Sequence, residues 1–422
     1  MKVFVIGSDG REHALVWKAA QSPDVTEIIC APGNAGTAVE MKCLNIDVSA
    51  ANLPGLIRLA KEERPDLTIV GPEAPLVDSL VDNWPKGLQI WGPNSHAASL
   101  EGSKVFAKKQ MDQHSIPTAR WWKFDNPESA LTWLKSQSHG RWVVKADGLA
   151  AGKGVFVCVN KAETAHAIRQ MSSFGTAGQR FVIEELLEGR EASLFLLCGR
   201  SGQIIALETA QDYKRAYDGD TGDNTGGMGA YSPASHLTPK MVAEIIEMLR
   251  PMIEELGFTG FLYVGLMLTD SGWHILEFNV RMGDPETQPV MMRMESDLVE
   301  VLQTMACGDS YAGTLEWSDQ AAVTVVMTAL GYPGEYKKGA IIEGLDRARD
   351  LEESGAIKVF HAGTKINGGL TLTNGGRVLG VTALGRDIEE ARSRAYEVVQ
   401  MISWPGHACY RSDIAAGVEV PS

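Results

Sequence analysis

Apolar residues fall along this chain in two rhythms that alternate. Short apolar runs bounded by glycine or proline, such as KVFVIG (2–7), EIICAPG (27–33), DLTIVGPE (66–73) and QIWGP (89–93), predict buried strands. EHALVWKAAQ (12–21) has helical spacing, so the first unit, residues 1–103, predicts a parallel α/β domain. EGSKVFAKKQMDQHSIP (101–117) predicts one helix ending before Pro117. RWVVKA (141–146) and VFVCV (155–159) predict the arms of a hairpin, followed by a helix at KAETAHAIRQM (161–171) and a strand at RFVIEELL (180–187). Then come a strand EASLFLLC (191–198), a polar loop, a helix over 239–256 and the hairpin GFLYVGLMLTDSGWHILEFN (260–279), turned at TDSG. The last stretch predicts several short strands and one helix over 387–402. Further units are expected over 104–187, 188–318 and 319–422, packed closely because no repeat, low-complexity tract or long linker separates them.

Composition narrows the class. A chain of 422 residues has room for several cores, and a formal net charge of −14 without a long basic run argues against a nucleic-acid or membrane-surface binder. An anionic substrate must be met by local arginines, lysines and backbone amides. The six cysteines are scattered, with no C-x-x-C pair, and are expected as free thiols rather than zinc ligands. MKVFVIG enters a strand at once, leaving no room for a signal peptide, and no apolar run reaches membrane-spanning length. A cytoplasmic protein is expected.

Several constellations carry chemistry. KADGLAAGKGV (145–155) is glycine-rich, yet three residues separate Gly148 from Gly152 and Lys153 precedes Gly154, so it is not a P-loop. Nor is it a kinase loop, because Lys145 precedes the glycines and no HRD or DFG follows. GSDGREHAL (7–15) has Asp9 and Glu12 where the dinucleotide fingerprint needs glycine. Its helix N-terminus, with Gly10, Arg11 and His13, suits a single phosphate as well as it suits a tight turn with exposed charges. PGNAG (32–36) and GPEAPL (71–76) fall at strand ends, where open parallel sheets bind ligands. VIEELLEGREAS (182–193) can offer backbone groups to an adenine edge and a carboxylate to a ribose, or can simply be a charged connector. QDYKRAYDGDTGDNTGGMGAYSP (211–233) is too rich in glycine and aspartate for regular structure and is expected to be a functional loop, with Lys214 and Arg215 available to a phosphate. In LEFNVRMGDPE (276–286), Glu277 and Asn279 share a strand face, with Arg281 two further on and Phe278 and Val280 buried behind. A carboxylate and a carboxamide so spaced suit magnesium completed by substrate phosphates, and an arginine can grip a carboxylate or phosphate. A polar strand edge with an exposed ion pair is the alternative. FHAGTK (360–365) and TNGGRVLGV (373–381) offer Lys365 and Arg377 as anion contacts, whereas His361 fits a packed histidine as well as a functional one.

The order of these parts resembles the ATP-grasp superfamily. Within it, GREHAL, PGNAGT, VGPEAPL, EGSK, KADGLAAGKGV, NTGGMGAYSP, EFNVRMGDPETQP, HAGTK and NGGRVL resemble the glycinamide ribonucleotide synthetase (phosphoribosylamine–glycine ligase) family over nearly the whole chain. Asp9 stands where that family usually has glycine, Tyr213 where it has histidine, and GFLYVGLML lacks a carboxylate that many relatives use for metal. The resemblance implies an α/β fold: a parallel-sheet N-terminal substrate domain, two ATP-grasp subdomains (a glycine-hairpin lid and a metal-bearing half) and a small C-terminal α+β domain. It implies an ATP-dependent ligase joining glycine to 5-phosphoribosylamine through a glycyl phosphate in purine biosynthesis. Lys104, Lys145, Gly148, Gly152, Lys153, Gly154, Glu184, Glu185, Leu187, Glu191 and Lys214 would bind ATP, and Glu277 and Asn279 would hold Mg2+ (or Mn2+), as one ion or two. Lys145, Arg281 and Asp284 would be catalytic. Gly10, Arg11, Glu73, Asp212, Lys365 and Arg377 would contact substrates, with Arg281 and Asp284 holding glycine. The implied partners are small molecules only, with no nucleic acid or membrane, and the chain a monomer or weak homodimer. Another ATP-grasp ligase, a phosphoribosyl carboxylase and a non-catalytic nucleotide-binding module are the competing readings.

Overall fold

The computed structural model describes residues 1–149 and 154–418, so Gly152 and Lys153 lie outside the described residues. The first unit is the expected parallel sheet. Its strands run in the order Cys43–Asn45, Glu27–Pro32, Lys2–Gly7, Leu67–Val70 and Gln89–Trp91, every neighbouring pair parallel. The Cys43–Asn45 strand was not anticipated, because its three residues, CLN, are too few to carry an apolar run. In Lys2–Gly7, Phe4 and Ile6 enter one core with Leu194, Leu262 and Phe278. Val3 and Val5 enter a second core with Phe195, Phe261 and Val290. Both faces of this sheet are thus buried, as parallel strands require, and both cores draw on the 188–318 unit. That shared packing holds the strand ends of the first unit against residues 276–290.

The glycine hairpin belongs to a separate antiparallel sheet in the order Trp121–Phe124, Phe181–Glu185, Trp142–Ala146, Val155–Cys158, with its own core around Phe124, Trp142, Val144 and Phe181. A second antiparallel sheet carries Ile204–Ala206, Arg190–Cys198, Gly260–Thr269 and Gly272–Asn279. The expected hairpin closes where Thr269 pairs with Gly272.

Three expectations are corrected. The segment 101–117 is not one helix: Ser95–Gly102 ends and Lys104–Gln113 begins at Ser103, whose extended backbone (φ −144°) and side chain, accepting from Phe106 N at 3.1 Å, start a new helix. The loop 211–233 is not irregular. It forms strands at Gln211–Asp212, Arg215–Tyr217, Thr221–Asn224 and Gly229–Ser232, and the last pairs with Ala321–Ala329 in the C-terminal sheet. Backbone pairing to a distant segment overrides its local turn chemistry. Finally, the C-terminal unit is built on long strands, Ala321–Ala329 and Arg377–Gly385, and carries an unanticipated helix at Leu345–Glu352 besides Ile388–Val399. No described helix is long and apolar enough to cross a membrane.

Candidate functional site

The strand Gly272–Asn279 and the turn after it organise the site. Phe278 and Val280 are buried, so Glu277, Asn279 and Arg281 project from the opposite face. Lys104, the first residue of its helix, places Nζ 2.9 Å from Glu277 Oε2. Lys145 donates to the carbonyl of Leu276 at 3.1 Å. Burial opposes ionisation of Glu277, but the ammonium groups of Lys104, Lys145 and Lys214 together hold its carboxyl well below the usual range. It is therefore an anion at any physiological pH.

Lys145 is held from behind. Glu184, 1% exposed, accepts Lys145 Nζ at 3.1 Å and Lys108 Nζ at 3.0 Å on one oxygen, Oε2. Burial would raise the Glu184 pKa, yet the two lysines bring it below the ordinary value. Glu184 lies in the expected strand, Phe181–Glu185, and is buried there, so the alternative of a charged connector does not hold at this residue. Glu185 is more open and pairs with Arg120 at 3.4 Å, and Leu187 is half-buried. Lys214 bridges Glu191 (2.7 Å) and Asp212 (2.8 Å). Gly148 abuts Ala177, and the carbonyl of Gly154 accepts from Ala146 N at 2.8 Å, closing the hairpin base.

On the other side of Glu277, Arg281 binds Glu101 (2.8 Å) and Glu73 (3.3 Å), so its guanidinium already meets two carboxylates. Glu73 thus accepts from an arginine. With its amide oriented to satisfy its surroundings, Asn279 donates to Glu101 Oε1 at 3.0 Å and to the carbonyl of Phe278 at 3.2 Å. Its oxygen is the atom turned away from Glu101. Glu277 and Asn279 thus provide two hard oxygen donors on one strand face, a fit to magnesium, while no cluster of three His, Cys, Asp or Glu that could hold a metal occurs among the described residues. Phosphate oxygens must complete any such shell.

The strand-to-helix turn at Gly7–Gly10 closes on this centre. A Cβ at Gly10 would lie 2.5 Å from Gln288 Nε2 and 3.3 Å from Asp284 Oδ1, so a side chain there would push the Gln288 amide aside. Arg11 pairs with Glu12 at 2.6 Å and reaches the carbonyl of Met282 at 3.4 Å. Arg377 comes from the C-terminal sheet and binds Asp284 Oδ2 at 2.8 Å, the Asp284 carbonyl and the Gly226 carbonyl. The structure thus brings Gly10, Arg11, Asp284 and Arg377 together from three units. Among the described residues Lys365 has no ion pair, and it is exposed on the hairpin strand Thr364–Asn367. His361 is buried: its backbone N–H donates to His13 Nδ1 at 2.7 Å, and His13 Nε2 contacts Glu40 at 3.0 Å. Burial lowers both imidazole pKa values, fitting neutral rings that fasten the first and last units together.

Sequence reasoning missed Glu12, Glu101, Glu286 and Gln288. Glu12 had a signal, since Asp9-x-x-Glu12 has capping-box spacing, and the Asp9 backbone N–H donates to Glu12 Oε2 at 2.7 Å. Glu286 is buried beside Asp212 and Lys214, and burial, then Asp212, raises its carboxyl to about 7. Nothing local marked Glu101 or Gln288, whose partners lie far away in sequence.

Family models for the N, ATP-grasp (A) and C domains of phosphoribosylglycinamide synthetase match residues 1–101, 102–287 and 322–417. The chain is 47% identical over 422 residues to the phosphoribosylamine–glycine ligase of Vibrio cholerae, covering 97% of each. It is 48% identical over 426 residues to that of Escherichia coli K12, covering 98% of each. It matches the crystal structure of phosphoribosylamine–glycine ligase from Thermotoga maritima with a TM-score of 0.81 at 33% identity, over 98% of this chain and 100% of that one. The biotin carboxylase domain of Hydrogenobacter thermophilus 2-oxoglutarate carboxylase gives a TM-score of 0.72 at 16% identity, over 96% of this chain and 91% of that one, and shares the fold alone.

Proposed function

The chain belongs to the phosphoribosylglycinamide synthetase family, and on that premise we propose how its residues divide the work of joining glycine to 5-phosphoribosylamine. The reaction is an ATP-dependent ligation of purine biosynthesis giving glycinamide ribonucleotide, ADP and phosphate. In our reading the γ-phosphoryl group passes to a carboxylate oxygen of glycine, breaking its bond to ADP. The amine of phosphoribosylamine then attacks the carbonyl carbon, phosphate leaves, and the nitrogen loses a proton.

Phosphoryl transfer is won by positioning and charge neutralisation more than by covalent chemistry. Lys145, set by Glu184 and the Leu276 carbonyl, meets the phosphates. Glu277 and Asn279 hold Mg2+ (or Mn2+), which when bound neutralises phosphate charge. Lys104 neutralises Glu277 in the free protein, and its ammonium would turn to a phosphate oxygen once that carboxylate held the cation. The backbone of Glu185–Leu187 faces adenine, Glu191 the ribose, and Gly148, Gly154 and Lys214 the phosphates.

Glycine lies between Arg281, Asp284 and Asp212, its carboxylate taking the place of Glu73, the longer of the two Arg281 contacts. Gly10, Arg11 and Glu73 then meet phosphoribosylamine from the first unit and Arg377 from the last. Lys365 needs its hairpin to move inward to join them. The acidic charge of −14 supports a small-molecule enzyme without nucleic acid or membrane, the scattered cysteines a cytoplasmic one, and we assign it as a monomer or weak homodimer. One observation carries the reading: two lysines from different elements converge on Leu276–Glu277, beside Asn279 on the same strand and Arg281 in the turn that follows it. The test is ADP release with ATP, Mg2+, glycine and fresh phosphoribosylamine, each omitted in turn. Release that ignores the omission of glycine rejects it.

A further inference from the structure

Glu101 lies in the last turn of Ser95–Gly102, 5% exposed, and neither nucleotide nor substrate chemistry calls for it. Its two oxygens nevertheless hold three consecutive residues of the metal-bearing segment. The backbone N–H of Val280 donates to Oε2 at 2.7 Å. Arg281 donates to Oε1 at 2.8 Å, and the Asn279 side-chain nitrogen donates to the same oxygen at 3.0 Å. Lys104, three residues on, takes the remaining member of the set, Glu277. One helix junction therefore grips the strand from Glu277 to Arg281.

We propose that Glu101 is a positioning residue that orients the Asn279 amide, nitrogen inward and oxygen toward the cation, and aims Arg281 at the carboxylate of glycine. The inference rests on the assignment of Glu277 and Asn279 to the cation. An asparagine amide has two ends of nearly equal size, and only its hydrogen bonds choose which end faces a ligand. Three N–H groups, from Val280, Arg281 and Asn279, already face the two Glu101 oxygens, so this carboxyl acts as acceptor to all of them and selects the nitrogen end of the amide. Outer partners of this kind typically govern about 10–100-fold in metal affinity.

Glu101→Gln isolates this role. The introduced amide has one acceptor where three N–H groups now point. If its oxygen stays on Val280, its NH2 faces Asn279, whose amide must turn over to accept, presenting NH2 to the cation. Asn279→Asp in the same protein removes that penalty: one new oxygen accepts from the introduced amide and the other stays with the cation.

The probe is calorimetric titration of each protein with ADP alone and with MnADP, because the ratio of the two affinities isolates the cation's contact. For Glu101→Gln the ratio is expected to fall by about tenfold or more, with metal-free ADP binding unchanged. The double variant Glu101→Gln/Asn279→Asp is expected to recover most of that loss. In steady state, Glu101→Gln is expected to raise the KM for glycine while leaving the KM for phosphoribosylamine near wild type. A wild-type ratio in Glu101→Gln, or a double variant no better than the single one, overturns the proposal. Glu277→Ala separates the two levels of inference. If it loses the MnADP preference while Glu101→Gln keeps it, only the role of Glu101 falls. If it too keeps the preference, the metal assignment falls and this proposal with it. Should Glu101→Gln not fold, Glu101→Asp, which draws the acceptor away from the Asn279 nitrogen without adding a donor, is expected to lower the same affinity ratio, and an unchanged ratio overturns the proposal.

Discussion

Replacing Glu184 by glutamine is the most informative perturbation of the buried charges, because it leaves shape intact and unbalances a triad. In the native protein one carboxylate faces Lys108 at 3.0 Å and Lys145 at 3.1 Å, with the Lys108 and Glu184 side chains each 2% exposed. At an effective dielectric of ~20, a pair at such distances interacts by roughly 4 kcal/mol or more before desolvation is counted. Breaking a buried pair on one side typically costs about 3–5 kcal/mol, because the other charge stays buried. Here the loss has a ceiling, since a lysine can shed its proton; from an ordinary pKa of ~10.4, that costs about 4 kcal/mol at pH 7.5. Lys108 will shed first, because burial, only partly offset by Glu184, already holds it at about 8. We therefore expect Glu184→Gln to lose about 3–4 kcal/mol of stability. Its turnover should fall at least about tenfold as Lys145 loses its anchor. Glu184→Gln/Lys108→Met removes the surplus charge and should regain most of that stability without restoring full turnover. Urea unfolding can be followed by tryptophan fluorescence, to which Trp122, Trp133 and Trp142 of this small core contribute three of the ten tryptophans. A loss below ~1 kcal/mol in the single variant, or no recovery in the double one, would refute the claim that this carboxylate balances two buried charges.

Three further outcomes are expected. Lys145→Ala and Glu277→Ala should each lower kcat by at least on the order of a hundredfold with the fold retained by circular dichroism, the scale of losing a preorganised charge at a transferring phosphoryl group; near-normal turnover removes that residue from the site. Arg377→Ala should mainly raise the KM for phosphoribosylamine and Arg281→Ala that for glycine, each by roughly 1.5–3 kcal/mol, and steady-state kinetics with each substrate varied would expose a shared effect on ATP instead. Stability should also respond to pH through Lys108, whose pKa is lowered from 10.5 to about 8. Below pH ~8 both folded and unfolded chains carry its proton and a penalty of roughly 3 kcal/mol is fully present; between ~8 and ~10.5 the folded state releases the proton first and the penalty fades. The stability of wild type relative to Lys108→Met should therefore rise with pH across that window, and a flat or falling difference contradicts the assignment.

What the sequence revealed and what it hid follow one physical division. Strand-face alternation is local, so Glu277, Asn279 and Arg281 could be placed on one side of a strand with Phe278 and Val280 behind them, and the burial of those two agrees. The strand-to-helix turn at Gly7–Gly10 was legible for the same reason. Partnership across the fold is not local. Arg281 was expected to await a substrate carboxylate, yet Glu101, 180 residues away, and Glu73, 208 away, already hold it. Arg377 was expected to await a phosphate, yet it spans 93 residues to Asp284 and 151 to Gly226. Buried cations cannot stand unpaired, so every inward-facing arginine or lysine of a resting active site implies a carboxylate partner that spacing does not disclose. That constraint also bears on mechanism. An anionic substrate that displaces Glu73 from Arg281 exchanges one charge-assisted contact for another instead of gaining a whole one, so its net binding energy is smaller than the contact geometry suggests. Glycine affinity should thus be set by the difference between two similar contacts. Glu73→Gln, which weakens the resting contact without touching the substrate's own, should tighten glycine binding if phosphoribosylamine is absent, and should weaken phosphoribosylamine binding if Glu73 also receives its ribose hydroxyls. Equilibrium binding of each ligand alone tests both halves, and unchanged glycine affinity would mean that Arg281 keeps Glu73 throughout.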